Sequence, residues 1–359
     1  MRLLKPRKGL IGVDITSATV KLLELKQCRA NGQIKGYQID SYAVQPLREN
    51  AVAERHIHDI NDVVTALKRA VEHANPFTRK AAVAIPASAA ISKTLYFPAS
   101  LGEEEIEERI TAESDRHIPF PFSDVAFDFQ CLGLDVHNEN QQQVILVACR
   151  QQDVLQLTDI LERAELEPVA VDVATLAMER ALAEQCRLAS VENGLDSSGV
   201  GLVDIGANMS AFHVVHGGHT VYRQEMVLGG RQLTDTIREC YHLSTEEAEA
   251  AKRCGGLPND YPEKVLAPFL DAVVQQVGRS LQLYYAAGGQ CDLQHIVLAG
   301  GSSRVPGIAQ RIADESGMSV TIANPFQQMR THQRLNRDAL NNDAPAMLTA
   351  SGLAMRVSQ

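Results

Sequence analysis

Apolar residues recur along this chain with two different periods, and the period changes several times from one end to the other. Residues 9–15 and 19–25 are apolar, β-branched runs around the small polar turn Thr16-Ser17-Ala18, which predicts a β-hairpin. A third strand is expected over 33–44. Ile60, Val63, Val64, Leu67, Ala70 and Val71 then fall on one helical stripe, predicting a helix over 59–74 with Asp59 or Asn61 as its cap. A short buried strand over 80–86 stops at Pro86.

The next stretch, 89–167, has its own order of strand, helix, strand, strand, helix. Its strands are expected at 91–97, 125–132 and 143–149, and its helices at 103–117, ended by Pro119 and Pro121, and at 151–166. It reads as a compact α/β unit inserted into the first domain. A strand at 169–173 and a helix over 174–186 resume that domain. Residues 187–199 contain Ser, Asn, Gly and Asp and read as a linker.

Beyond the linker the opening pattern returns. Val13-Asp14-Ile15 recurs as Val203-Asp204-Ile205, again ending a strand and opening a turn of small residues. A spacing this long is not a solenoid repeat; it points to two similarly built halves. Helices follow at about 230–242, 244–253 and 262–287. A buried strand at 295–299 then leads into Gly300-Gly301-Ser302-Ser303, and a helix starts at Ile308. A last helix over 346–356 closes the chain. The expected domains are 1–88 with 168–198 and the returning helix 345–357, the insertion 89–167, and a second domain over 199–344.

Composition narrows the class of molecule. Of 359 residues, 45% are hydrophobic and 22% charged, enough apolar surface for packed cores rather than disorder. The net charge of −10 argues against a nucleic-acid binder, which needs a basic face. No apolar run approaches the ~18 residues of a membrane span, and the start has no apolar signal core. Seven scattered cysteines without a Cys-x-x-Cys fit a reduced, cytosolic chain.

The chemistry lies in the turns. A nucleoside triphosphate needs backbone N–H donors around its oxygens and carboxylates for hydrated magnesium. Asp14 beside residues 16–19, and Asp204 beside Gly206-Ala207-Asn208-Met209-Ser210, each offer a carboxylate next to a tight turn. A single aspartate at a strand end is ordinarily just a turn-former. The repeat changes that weighting, as does the strand–Gly-Gly–helix junction at 295–308, where helix amides can meet phosphate or nucleoside. There is no Walker-type Gly-Lys loop and no Gly-x-Gly-x-x-Gly after a strand. His213, His216 and His219 cluster, but in a two-residue hairpin only His216 and His219 face each other, too few ligands for zinc. The basic start (Arg2, Lys5, Arg7, Lys8) reads as a solvated tail. Ser302-Ser303 lacks the spacing of a hydrolase nucleophile elbow.

Together, Val13-Asp14-Ile15, Val203-Asp204-Ile205-Gly206-Ala207, Leu228-Gly229-Gly230 and Leu298-Ala299-Gly300-Gly301-Ser302-Ser303 resemble the actin/Hsp70/FtsA ATPase superfamily. Within it, the resemblance is to the PilM family of type IV pilus assembly proteins. It extends over nearly the whole chain, including Lys21, Glu24, Val171-Asp172-Val173, Ala177 and residues 351–356. Thr16 departs from the pattern, standing where many members have glycine. The resemblance implies an α/β, actin-like (duplicated RNase H-like) two-domain fold with an FtsA/PilM-type inserted subdomain. It implies ATP or ADP with Mg²⁺ as ligands, Asp14 and Asp204 holding the metal mostly through water. Thr16, Ser17, Ala18 and Thr19 would line the first phosphate loop, with Lys21 as a phosphate contact. Gly206, Ala207 and Asn208 would form the second loop, followed by Gly229 and Gly230. Gly300, Gly301 and Ser302 would meet the adenosine side, while Glu249 and Lys252 would flank base or ribose; an exposed Glu/Lys pair three apart is more often a solvated helix face.

The same resemblance implies a cytosolic ATP-binding scaffold of the pilus inner-membrane assembly complex. Its partner would be the cytoplasmic N-terminal tail of a PilN-like membrane protein, and its position peripheral to the inner membrane. Residues 355–359 lack the amphipathic membrane helix of FtsA-type proteins, so recruitment would pass through the partner. The fold also admits a filament-forming FtsA-like division protein and a sugar or acid kinase. No catalytic residue stands out. Neither phosphate loop carries a Gln or His to orient water, and Asn208 is short, so hydrolysis is expected to be slow or negligible. The insertion carries no chemistry and reads as an interaction module. The glutamates at 103–105, 107 and 108 suit a basic partner segment or merely a helix N-terminus.

Overall fold

The computed structural model describes residues 9–30, 33–53, 56–135, 138–193 and 198–356. The basic start and residues 357–359 lie outside them. The first half opens as the expected meander, β1 (Gly9–Ile15), β2 (Thr19–Ala30) and β3 (Gln33–Pro46). A two-residue pairing of β4 (Val52–Ala53) with β5 (His56–Ile57) leads into α1 (Ile60–Ala74). The Asp59 carboxylate accepts the Asp62 N–H at 3.0 Å and caps that helix. Asn75 ends it in the left-handed conformation. β6 (Lys80–Ile85) returns parallel to β1.

The inserted unit holds β7 (Ala90–Pro98), α2 (Glu103–Ala112), α3 (Ser114–His117), β8 (Val125–Asp135) and β9 (Asn138–Arg150). The helix expected over 103–117 is thus broken at Glu113, whose backbone leaves the helical region. Its strands form an antiparallel sheet in the order β7-β9-β8. One face of that sheet packs Phe97, Val144 and Leu146 against Ile106 and Ile110 of α2. The helix that follows, α4 (Gln151–Arg163), belongs to a different core. Its Leu157, Ile160 and Leu161 pack with Val63, Val64 and Leu67 of α1 against the first sheet. Each such fully buried aliphatic side chain contributes roughly 1.5–3 kcal/mol.

β10 (Glu167–Val173) completes the first half, and α5 (Ala174–Asn193) leaves it. The linker expected over 187–199 is corrected here, because α5 runs on to Asn193. Residues 187–193 hold no Gly or Pro, and their Ser and Asn do not outweigh Leu, Ala and Glu.

The second half repeats the first. β11 (Gly199–Ile205), β12 (Ser210–His216) and β13 (His219–Met226) form a second meander. Next come α6 (Gly230–Tyr241), α7 (Thr245–Cys254), a single π turn and α8 (Ala267–Ala286). β14 (Leu293–Ala299), α9 (Ile308–Ser316) and β15 (Ser319–Ile322) finish the sheet. The sheet orders are β10-β6-β1-β2-β3-β16 and β13-β12-β11-β14-β15. Read from the third strand of each meander, the two halves have one strand order and one set of directions.

The sixth strand of the first sheet comes from late in the chain. β16 (Arg330–Thr331) pairs parallel to β3 and is followed by α10 (Arg337–Asp343) and α11 (Leu348–Ala354). Arg334 fastens this return. Its guanidinium donates twice to the Asp40 carbonyl, at 3.0 and 2.9 Å, and once to that of Asn75 at 3.1 Å. It also lies 4.4 Å over the Phe77 ring. α5 and α11 then fill the space between the two sheets, where Leu23, Leu25 and Ile39 of one meet Leu202, Val215 and Val297 of the other. A Cβ at Gly12 or Gly352 would collide with the carbonyl of Ala350 or Ala177, so α11 is wedged directly against β1 and α5. The buried Asp172 carboxylate holds Arg180 at 3.1 Å and Arg356 at 2.7 Å, tying the end of the chain to this layer.

Candidate functional site

The two meanders end their first strands in the same way. Asp14 faces Lys21 across the β1–β2 pair, and Asp204 faces Ala211 across β11–β12. Residues 16–19 and 206–209 form the turns. Each closes on one backbone bond, Thr16 N–H to the Thr19 carbonyl at 2.9 Å and Gly206 N–H to the Met209 carbonyl at 3.2 Å.

Side chains hold the first turn. The Thr16 hydroxyl donates to the Thr19 carbonyl at 2.9 Å and accepts the Thr19 N–H at 3.2 Å. Leu47, just beyond β3, donates its N–H to the Ala18 carbonyl at 2.9 Å, leaving Ser17 and Ala18 half-buried at the tip. Lys21 Nζ donates to Asp14 Oδ2 at 2.8 Å, with the two side chains only 10% and 12% exposed. Lys21 is therefore the partner of Asp14 in this structure.

Backbone and neighbouring loops hold the second turn. Gly230 and Arg231, at the start of α6, donate their N–H groups to the carbonyls of Gly206 and Ala207 at 3.0 and 2.8 Å. The Gly300–Ser303 loop closes on the same turn from the other side. Ser302 N–H reaches the Ile205 carbonyl at 3.0 Å, and its hydroxyl the Gly206 carbonyl at 3.0 Å. Gly300 has φ +87°, and a Cβ there would strike the Ile205 carbonyl and come within 2.5 Å of Asp204 Oδ1. Only glycine fits where the Asp204 carboxylate rests on the backbone. Asn208 and Gly301 complete the rim, and a Cβ on Gly301 would meet open space.

Glu249 and Lys252 join this group and are not a bare solvated pair. Lys252 Nζ donates to Glu249 Oε1 at 2.8 Å, to Thr234 Oγ1 at 2.6 Å and to the Gly230 carbonyl at 3.2 Å. Thr234 in turn donates to Glu249 at 2.5 Å. Burial opposes the charge on Glu249, but the hydrogen bonds from Lys252 and Thr234 and the charges of Lys252 and Arg253 outweigh it and hold its carboxyl below the ordinary value. Burial lowers the Lys252 ammonium despite Glu249, and Arg253 and Arg231 add to that.

Sequence reasoning missed two residues near the turns. Asp343, at the end of α10, is half-buried; burial raises its carboxyl, partly offset by the charges of Arg253, Arg304 and Lys21. Glu49, two residues past Leu47, pairs with the Arg231 guanidinium. Both come from segments without a periodic pattern, and only the folded chain sets them side by side. By contrast, His216 pairs with His219 across the β12–β13 hairpin as expected, and His213 is buried. Among the described residues no group of three metal-ligating side chains occurs.

The sequence matches the profile of the family described as type IV pilus assembly protein PilM over residues 12–358. The structure is similar to that of the PilM-PilN type IV pilus biogenesis complex, with a TM-score of 0.78 and 26% identity over 98% of this chain and 99% of that one. It also resembles the ethanolamine utilization protein EutJ from Carboxydothermus hydrogenoformans, at a TM-score of 0.57 and 16% identity over 98% and 90% of the chains. That second likeness concerns the fold alone. Cell division protein FtsA of Bacillus subtilis (strain 168) is 25% identical over 202 residues, 50% of this chain, and the match spans 42% of that protein's length. Together with the duplicated sheet order, these likenesses make the fold the actin-like ATPase fold.

Proposed function

The chain belongs to the type IV pilus assembly protein PilM family, and on that premise we propose that it is an ATP–Mg²⁺-binding scaffold of the pilus inner-membrane assembly complex. The observation that carries the nucleotide reading is the duplicated turn, with an aspartate at one register position in two sheets of one order. Two hard carboxylates suit Mg²⁺, which keeps most of its waters and takes few protein oxygens. Asp14 and Asp204 would hold it. The amides of residues 16–19 and 206–208 would receive phosphate oxygens, and Gly300, Gly301, Glu249 and Lys252 would flank the nucleoside. Nucleotide held there would accept from the amides of both turns and would stabilise their present arrangement by mass action. Neither turn holds a Gln or His that could orient water, so turnover by the pure protein is expected well below one per second.

Calorimetric titration of MgATP tests this reading. Asp204→Ala should weaken binding at least about a hundredfold, roughly 2.7 kcal/mol, and Asp14→Ala should also weaken it. Unchanged affinity in both variants would sink the assignment.

The partner we propose is the cytoplasmic N-terminal tail of a PilN-like membrane protein, seated between the inserted unit and the first sheet. The similar PilM-PilN complex supports a PilN-like partner. No helix among the described residues is long and apolar enough to cross a membrane, which fits recruitment to the inner membrane through a partner. On α2, Glu105 serves the helix start by accepting the Gly102 N–H at 3.0 Å, while the other glutamates stay exposed for a basic segment. A chain lacking 90–150, with α4 kept for the first core, should lose the peptide and keep nucleotide. Retained peptide binding would move the partner elsewhere. The FtsA match gives a filament reading its one support, and sedimentation with ATP decides it.

A further inference from the structure

The Glu49–Arg231 pair has a position that its strength alone does not convey. Glu49 is fixed from the first half. Leu47 is bonded to Ala18 in the first turn at 2.9 Å, and Arg48 N–H to the Asp62 carboxylate on α1 at 2.9 Å. Asn50 turns the chain in the left-handed conformation at φ +63°, and the Ala51 carbonyl accepts the N–H groups of His58 and Asp59 at 2.9 and 3.1 Å. This short loop is therefore braced between the first turn and the start of α1. Arg231 is fixed from the second half, its own N–H bonded to Ala207 in the second turn at 2.8 Å. Its guanidinium is close enough to Lys252 to weaken that ammonium.

The ion pair thus links a loop bonded to one turn with a residue bonded to the other. We propose that Glu49 and Arg231 form a latch across the mouth of the nucleotide cleft, which sets how fast nucleotide leaves. The proposal rests on the nucleotide reading given above. The latch differs from the Arg334 fastening in kind. Arg334 is bonded to backbone carbonyls and stacked on a ring, whereas Glu49 is 60% exposed and meets only a side chain. An exposed pair of this sort is weak and screened by salt, as a contact that opens on each release must be. Neither residue holds the nucleotide in the reading above; both act on it by positioning the turns.

The experiment follows the release of a fluorescent ATP analogue, chased by excess MgATP, from the full chain and from Glu49→Arg, Arg231→Glu and the double variant. The two single variants place like charges across the cleft, and release should speed up about three- to tenfold. The double variant restores an opposite pair in reversed order, and its rate should return to within about twofold of the original. Raising the salt to about 0.5 M should bring the original chain toward the single variants. Singles that release at the original rate, or a double variant no slower than the singles, overturn the latch while leaving the nucleotide reading intact. A chain that binds no analogue at all overturns both, and Asp204→Ala provides the reference for lost binding. A role in folding alone would change stability without this charge-reversal rescue of the rate.

Discussion

The turn after Ile15 and the turn after Ile205 carry an aspartate at one register position and close on the same backbone bond. They are nevertheless held by different means. In the first, a threonine hydroxyl bonds the turn to itself and a lysine on the next strand balances the aspartate. In the second, glycine takes the place of threonine, alanine that of lysine, and the start of α6 and the Gly300–Ser303 loop grip the turn from outside. The first turn is held mostly from within, with one outside bond from Leu47 to Ala18. The second depends on segments far away in sequence, so the duplicated fold has kept the register of the carboxylate and the closing backbone bond and changed the side chains and neighbours around them.

The sharpest way to break this contrast is Gly300→Ala. A methyl group there must sit in the left-handed region and push into Ile205 and Asp204, so unfolding free energy should fall by roughly 3–5 kcal/mol. Denaturant titration reads it, and a loss below about 1 kcal/mol would mean that the loop moves away freely. Next in size is Lys21→Ala, which gives the first hairpin the alanine of the second. It leaves Asp14 buried without its ammonium and should cost roughly 2–3 kcal/mol. If Lys21 served phosphate alone, nucleotide affinity would fall with stability unchanged.

A reciprocal exchange sharpens the contrast further. Gly206→Thr puts a Cβ against the Met209 carbonyl and should cost about 1–2 kcal/mol. Thr16→Gly loses both bonds of the hydroxyl to the Thr19 backbone and should cost no more than about 1 kcal/mol. Equal costs would mean that the turns are interchangeable. The smallest effect concerns acid. Burial opposes charge on Glu249, but its bonds to Lys252 and Thr234 hold the carboxyl below its ordinary 4.5 in the folded chain. Its stabilising contribution is therefore complete above that pH and is lost as the pH falls through the lowered value. Glu249→Gln should flatten the acid limb of the stability curve by a few tenths of a kcal/mol, measured by denaturation at about pH 6 and about pH 3.5.

Much of this was legible in the order of residues. The meanders, α1, α6 and the repeated aspartate follow from period and turn chemistry, because their pattern is local. The edge strands β15 and β16 were not, since four mostly exposed residues and two residues become strands only beside a partner. Nor was the allegiance of α4. Its amphipathic stripe predicts a helix, but nothing in Leu157, Ile160 and Leu161 says which sheet they will cover. Asp343, Glu49 and Arg231 went unnoticed for the same reason, because each acquires its role from a residue far along the chain. Glu249 and Lys252 were found by position, and only the geometry joins them to Thr234 and Gly230.

The late return of the chain has a consequence for how the molecule is made. On the ribosome, β1, β2, β3 and β6 emerge early, and domains generally begin to fold as they appear. Yet Leu23, Leu25 and Ile39 on the underside of this sheet are covered partly by residues 344–355, and the outer edge of β3 is covered by β16. The nascent first half must therefore wait, with an apolar face and an open strand edge, until the second half has been synthesised. Such a surface is what a holding chaperone recognises and what pairs with a neighbour when none is present. A chain stopped before residue 330 is expected to bind a hydrophobic dye and to associate more than the full chain does.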